Sequence, residues 1–183
     1  MPPSDPDRHA EDGALVQRAQ AGDEEAVAEI YRKHVQLIYR YVRARVSDSA
    51  TAEDLTSEIF VRALTALDRY EHRGAPLAAW LFRLARARTA DLHRSNAHRP
   101  VQLLTESQLD ETPDPEALAD RNEQVARLRH EMQRLTDDQR DVLHLRFIEG
   151  YSLDKTAEVM GRTIGAVKSL QFRALEMLAR YLK

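Results

Sequence analysis

The sequence predicts an all-α chain built as two small helical domains joined by a flexible linker. Only 6 Gly and 7 Pro interrupt 183 residues, of which 43% are apolar, and the abundant Ala, Leu, Arg and Glu are strong helix formers. Apolar residues recur at the helical period and nowhere alternate as a half-buried strand requires. Between two such periodic blocks, residues 96–122 lose periodicity and gather acids and prolines.

Residues 1–12 are polar and proline-rich and are expected to form a disordered leader, with the first domain over 13–95. A helical series runs from about Ala14 to Ser95. Ile30, Val35, Leu37, Ile38 and Tyr41 supply the apolar stripe of one helix, and residues 47–51 break and cap the chain. Leu55, Ile59, Phe60, Ala63 and Leu64 mark the next helix. Gly74 and Pro76 make residues 70–76 a loop. A third helix covers Leu77–Arg94, with Leu77, Leu81, Leu84, Ala85 and Leu92 on a core stripe and Arg83, Arg86 and Arg94 on a polar face. Arg88 falls on the apolar side, where it is expected to snorkel or to pair with an acid. Trp80 reads either as core or as a platform on which a base can stack.

The linker 96–122 contains Thr112-Pro-Asp-Pro115, which cannot continue a helix. The second domain, 123–183, holds Thr136-Asp-Asp-Gln139, the pattern of a capping box in which each end residue bonds the other's backbone. Residues 152–168 then have the spacing of a helix-turn-helix. Ala157 is small where two helices must approach, Gly161 suits the left-handed position that ends the first helix, and Thr163 can cap the second. On that second helix Ile164, Val167, Leu170, Ala174, Leu175, Leu178 and Leu182 share one face. Lys168, Ser169, Phe172 and Arg173 share the opposite one, a basic, hydrogen-bonding face suited to a major groove. The plainer alternative is an ordinary helical hairpin.

Charge and composition narrow the function. No cysteine is present, which excludes disulfides, Cys-ligated metal sites and thiol redox sensing. No apolar run approaches the ~20 residues of a spanning helix, and nothing resembles a signal peptide, so a cytoplasmic location without membrane insertion is expected. The net charge of −3 conceals a strong asymmetry. Residues 73–100 carry a net +5, residues 101–123 a net −6 and residues 163–183 a net +3; basic patches of this kind are the footprint of phosphate binding. The seven histidines (His9, His34, His72, His93, His98, His130, His144) include no His-Glu-x-x-His pair. They read as surface residues, so no metal or other cofactor is expected. With no Walker loop, nucleophile elbow or paired catalytic carboxylates, an enzyme is not indicated. A stand-alone helix-turn-helix regulator remains the competing class.

Taken in order, Asp23-Glu-Glu-Ala-Val-Ala-Glu-Ile-Tyr31, Ala52-Glu-Asp-Leu-Thr-Ser-Glu-Ile-Phe-Val-Arg-Ala63, Trp80-Leu-Phe-Arg-Leu-Ala-Arg86 with Asp91 and Arg94, and Leu135–Arg146 with the helix-turn-helix resemble the extracytoplasmic-function (ECF) sigma factors of the sigma-70 family. The likeness covers about residues 12–95 and 123–183. It implies a transcription initiation factor that binds core RNA polymerase, at the β′ clamp helices and the β flap, together with promoter DNA and an anti-sigma protein. It implies that Asp54, Glu58 and Arg62 dock on the clamp helices, although i,i+4 surface pairing explains each equally well. Loop 70–76 with Arg73, Trp80, Arg83 and Arg86 would hold the opened minus-10 element. Lys168, Ser169, Phe172 and Arg173 would read the minus-35 element. The chain departs from the family at Ala87, often Asn, at Asp154-Lys-Thr-Ala157, at Ala166 and at Gln171, a position usually apolar.

Overall fold

The computed structural model describes residues 5–46, 48–72, 74–96, 131, 132 and 134–181. These residues are all-helical and fall into two compact units.

The first unit packs four helices. Helix α1 spans Asp5–Gln20, α2 Glu24–Arg43, α3 Ser49–Leu67 and α4 Leu77–Asn96. The disordered leader expected over residues 1–12 is therefore corrected: α1 begins at Asp5, and Asp12 is buried. Its start, ahead of Ala14, went unseen because among the helix residues whose burial is described the apolar ones turned into the core are Leu15, Val16 and Ala19, and a polar stretch before them sets no helical period.

Local chemistry starts α2 and α3. The Asp23 carboxylate accepts from the amides of Glu25 and Ala26, and that of Asp48 from Thr51, satisfying donors that a helix start leaves open. Helix α2 buries Ile30, His34, Leu37, Ile38, Tyr41 and Val42, and α3 buries Leu55, Ile59, Phe60, Ala63 and Leu67 against it. Helix α4 closes the unit with Leu77, Leu81, Phe82 and Ala85. Tyr41 meets Phe82 with ring centroids 4.5 Å apart, and Tyr31 meets Phe60 edge-on at 4.9 Å, geometries that add to simple burial.

The N-terminus of α4 is capped from a distance. Leu77 donates its amide to Asp12 Oδ2 at 2.9 Å, while Lys33 on α2 donates to Asp12 Oδ1 at 2.7 Å. One carboxylate on α1 thus joins three helices. Burial pushes its pKa up, but the Lys33 ammonium and the Leu77 amide more than offset this and hold it below its ordinary value.

In the second unit α5 spans Asp137–Leu143, a single π-helical stretch covers His144–Ile148, α6 spans Leu153–Met160 and α7 spans Ile164–Tyr181. The capping box predicted at Thr136 and Gln139 is present in both directions. Leu135, Leu143, Ala174 and Leu178 form the core that joins α5 to α7, with Met132 and Met177 against it. The π-helical stretch turns Leu145 inward and leaves Phe147 and Ile148 exposed. His34 and His144 are buried, at 5% and 4% exposure, so the expectation of surface histidines fails at both. Each occupies a position where the helical period points inward, and His144 faces the equally buried Glu149 carboxylate at 3.4 Å.

The expected linker lies almost wholly outside the described residues, as do His98, His130 and residues 123–130 of the second block. No helix among the described residues is long and apolar enough to cross a membrane.

Candidate nucleic-acid interface

The turn between α6 and α7 is set by backbone geometry. Gly161 adopts φ +62°, Arg162 donates to Ala157 O at 2.8 Å and Gly161 to Glu158 O at 3.1 Å. This paired closure is a Schellman motif, which the left-handed residue makes possible. Thr163 Oγ1 then accepts from the amide of Ala166 at 3.2 Å and caps α7. Ala157 and Val167 are buried, as their spacing predicts. Arg162 bridges to Asp138 on α5 at 2.5 Å, tying the turn to the rest of the unit.

Helix α7 is less completely buried than its periodicity suggests. Val167, Ala174 and Leu178 are inside, whereas Ile164 and Leu175 are 41% and 42% exposed, so the broad apolar face expected there narrows to a seam. On the other side Lys168, Ser169, Phe172 and Arg173 are all exposed and line one open hollow. Phe172, at 69%, is the most exposed large apolar side chain among the described residues of the unit. Ser169 Oγ donates to Gly165 O at 3.0 Å and Arg173 Nε to Ser169 O at 3.2 Å, so both side chains lie along the helix. Gln171, unusual for its position, has a structural partner: its Oε1 accepts from Arg146 Nε at 3.1 Å, and Arg146 also donates to Tyr151 O.

In the first unit the candidate residues cluster at the start of α4. Arg73 lies outside the described residues. Trp80 is half-buried and stacks on Tyr70, with centroids 4.5 Å apart and planes inclined by 35°. Arg83 is exposed one turn further on, close enough for its charge to act on the Tyr70 hydroxyl, whose pKa burial nonetheless raises. Arg86 is half-buried. Tyr70 is the residue that sequence reasoning missed here. It sits inside the predicted loop, and an aromatic ten residues before the Trp in the first turn of the next helix was the available signal.

Asp54 and Arg62 are exposed on α3, and Glu58 between them is half-exposed. Glu58 is already engaged, 2.8 Å from Arg62 and 2.8 Å from Arg88 of α4. The pairing expected for Arg88 is thus found, and its acid is one of the three candidate docking residues. Arg88, which bonds it, holds the Glu58 carboxyl below the usual range against the opposing effect of burial, with Arg62 adding to the shift. Among the described residues no three His, Asp or Glu side chains come together as metal ligands would.

One unit thus offers an aromatic pair beside an exposed arginine, and the other a helix-turn-helix with a cationic outer face, the class of surface found in helical DNA-binding proteins. Family models of sigma-70 region 2 and sigma-70 region 4 match residues 30–99 and 132–180. The chain is 38% identical over 172 residues to the ECF RNA polymerase sigma factor BldN of Streptomyces coelicolor, with 92% of this chain and 64% of that protein covered. It is 35% identical over 172 residues to the ECF RNA polymerase sigma factor SigD of Mycobacterium tuberculosis, covering 90% of this chain and 81% of that one. The solved structure of CnrH in complex with the cytosolic domain of CnrY matches at TM-score 0.67 and 26% identity, over 93% of this chain and 96% of that one. The chain belongs to the ECF sigma factors of the sigma-70 family. It spans somewhat under two thirds of BldN.

Proposed function

We propose that this chain is a promoter-recognition subunit of a bacterial RNA polymerase, with no catalytic activity of its own. The observation that carries the reading is the presence, in family order on one chain, of an aromatic–arginine cluster in the region 2 unit and an exposed cationic helix face in the region 4 unit. The module of residues 13–95 binds the core enzyme and the opened minus-10 strand; that of residues 123–183 reads the minus-35 duplex. Lys168, Ser169, Phe172 and Arg173 enter the major groove. Trp80 and Arg83, with Tyr70 beneath, take an unstacked base, because an aromatic face beside a cation suits any base once it has left the duplex. Arg73 and Arg86 add charge for the phosphates. Asp54, Glu58 and Arg62 face the β′ clamp helices, and the exposed Phe147 and Ile148 favour a further contact, to the β flap. Action is cytoplasmic. A protein partner that occludes these faces, an anti-sigma factor, is supported by CnrH having been solved in a complex.

Run-off transcription with core polymerase tests the reading. Lys168→Ala or Arg173→Ala weakens duplex recognition, by ~1–3 kcal/mol if a bidentate base contact is lost. A template already open over the minus-10 element leaves that defect in place. Arg83→Ala slows strand capture, and the open template restores transcription, since the unstacking work is already done. The reverse pattern of rescue refutes the assignment of modules to elements. Tight sequence-specific binding by the free chain, without polymerase, makes it a stand-alone regulator instead.

A further inference from the structure

Helix α1 holds the start of the loop before α4. Gln20, its last residue, donates Nε2 to Leu67 O at 2.9 Å and to Tyr70 O at 2.8 Å. Both hydrogens of one carboxamide are thereby used on one short turn. Leu67 ends α3, so its carbonyl lacks a helical partner on the C-terminal side; Tyr70 returns its own amide to the same oxygen at 2.9 Å. A second contact lies nearby, where Gly13 meets His72 so closely that an added Cβ would come within 2.9 Å of Cδ2.

What this clamp fixes is the base of the aromatic pair. With its carbonyl held by Gln20, the Tyr70 backbone has a defined path, and its ring stays under Trp80. Carboxamide chemistry is required. A glutamate has the same length, but its carboxylate carries no hydrogen and would set negative charge against two carbonyl oxygens.

We propose that Gln20 is a positioning residue for capture of the opened promoter strand: by bracketing the Leu67 and Tyr70 carbonyls it holds Tyr70 against Trp80 and keeps the outer face of that indole ready for a base. This rests on the reading that Trp80 and Arg83 receive the opened strand. Gln20 touches no DNA in this scheme and acts only through Tyr70.

Trp80 is the chain's single tryptophan, so emission from the free full-length protein reports the Tyr70–Trp80 stack directly. Gln20→Glu and Gln20→Met remove both donors, one with added charge and one without. Gln20 is itself exposed, so both variants retain the core of the unit. The strand probe is a labelled single-stranded oligonucleotide bearing the minus-10 sequence of a promoter selected in vitro with wild-type holoenzyme. Both variants are expected to change Trp80 emission and to lower holoenzyme affinity for the probe about tenfold, the loss that follows when the stacked, binding-competent arrangement falls to about a tenth of the population. Core-polymerase affinity and minus-35 duplex binding stay within about twofold, the size of a measurement difference rather than of a lost contact. A merely structural role would move the unfolding midpoint and leave probe affinity alone. Unchanged probe affinity in both variants, with Trp80→Ala still weakening capture, overturns the role of Gln20. Unchanged affinity in Trp80→Ala and Arg83→Ala overturns the underlying reading of the loop, and the proposal with it.

Discussion

Replacing Asp12 by Ala is expected to destabilise the first unit by about 2–3 kcal/mol, of which the larger share comes from a buried amide left without an acceptor. Asp12 is 5% exposed and Leu77 fully buried, so no water replaces the lost bond to the Leu77 amide. The Lys33 side chain is 41% exposed and is rehydrated when its partner leaves, which places the ion pair at the low end of the charged range. The carboxylate's own burial cost, recovered in the variant, sets the upper limit. Asp12→Asn keeps an acceptor for Leu77 and loses only the charge, so about 1 kcal/mol is expected. Because the folded carboxyl is held below its ordinary pKa, its stabilisation is complete at and above that value and is lost as pH falls through the depressed one. The gap between wild type and Asp12→Asn should therefore be flat near neutrality and close in acid. Urea unfolding followed by Trp80 emission measures this unit alone. A loss below about 0.5 kcal/mol in Asp12→Ala, the range of ordinary surface changes, would mean that α1 does not dock and that the disordered-leader reading was right.

Gly161→Ala should cost about 1 kcal/mol in the second unit, because φ +62° is strained for any side chain although an added Cβ there meets nothing within 4 Å. The loss should be seen as reduced amide protection in α6 and α7, and a neutral substitution would refute the role given to the turn. Arg88→Met should cost roughly 0.5–1 kcal/mol, because the Glu58 partner is partly exposed and the pair is screened. Unfolding in ~1 M salt should erase most of that difference; a cost that persists in salt would show that packing, not charge, is what Arg88 contributes.

Much of this molecule was legible because its signals are local. Thr136 and Gln139 meet three positions apart, and Gly161 and Thr163 act within one turn. The exposed quartet on α7 follows from one helix's periodicity alone. Asp12 was not legible, since its partners lie 21 and 65 positions away and nothing in a polar stretch announces them. His34 and His144 were misread because residue type argued for the surface while position argued for the core. Gln171 looked like a departure until Arg146, 25 residues earlier, supplied its partner. Tyr70 and Gln20 likewise meet only in the folded unit.

The cap of α4 has a consequence for the order in which the chain can fold. Helices α2 and α3 carry their N-terminal acceptors on the residue just before them, in Asp23 and Asp48, so each can form its first turn as soon as it is synthesised. Leu77 must wait for a carboxylate 65 positions upstream, and closing a loop of that length costs on the order of 3–4 kcal/mol by chain statistics. That entropy is recovered only once α1, α2 and α3 are already packed. Helix α4, which bears Trp80 and Arg83, thus acquires a stable start later than α2 and α3. A nascent chain cannot complete the cap of α4 before its own N-terminal helix is in place.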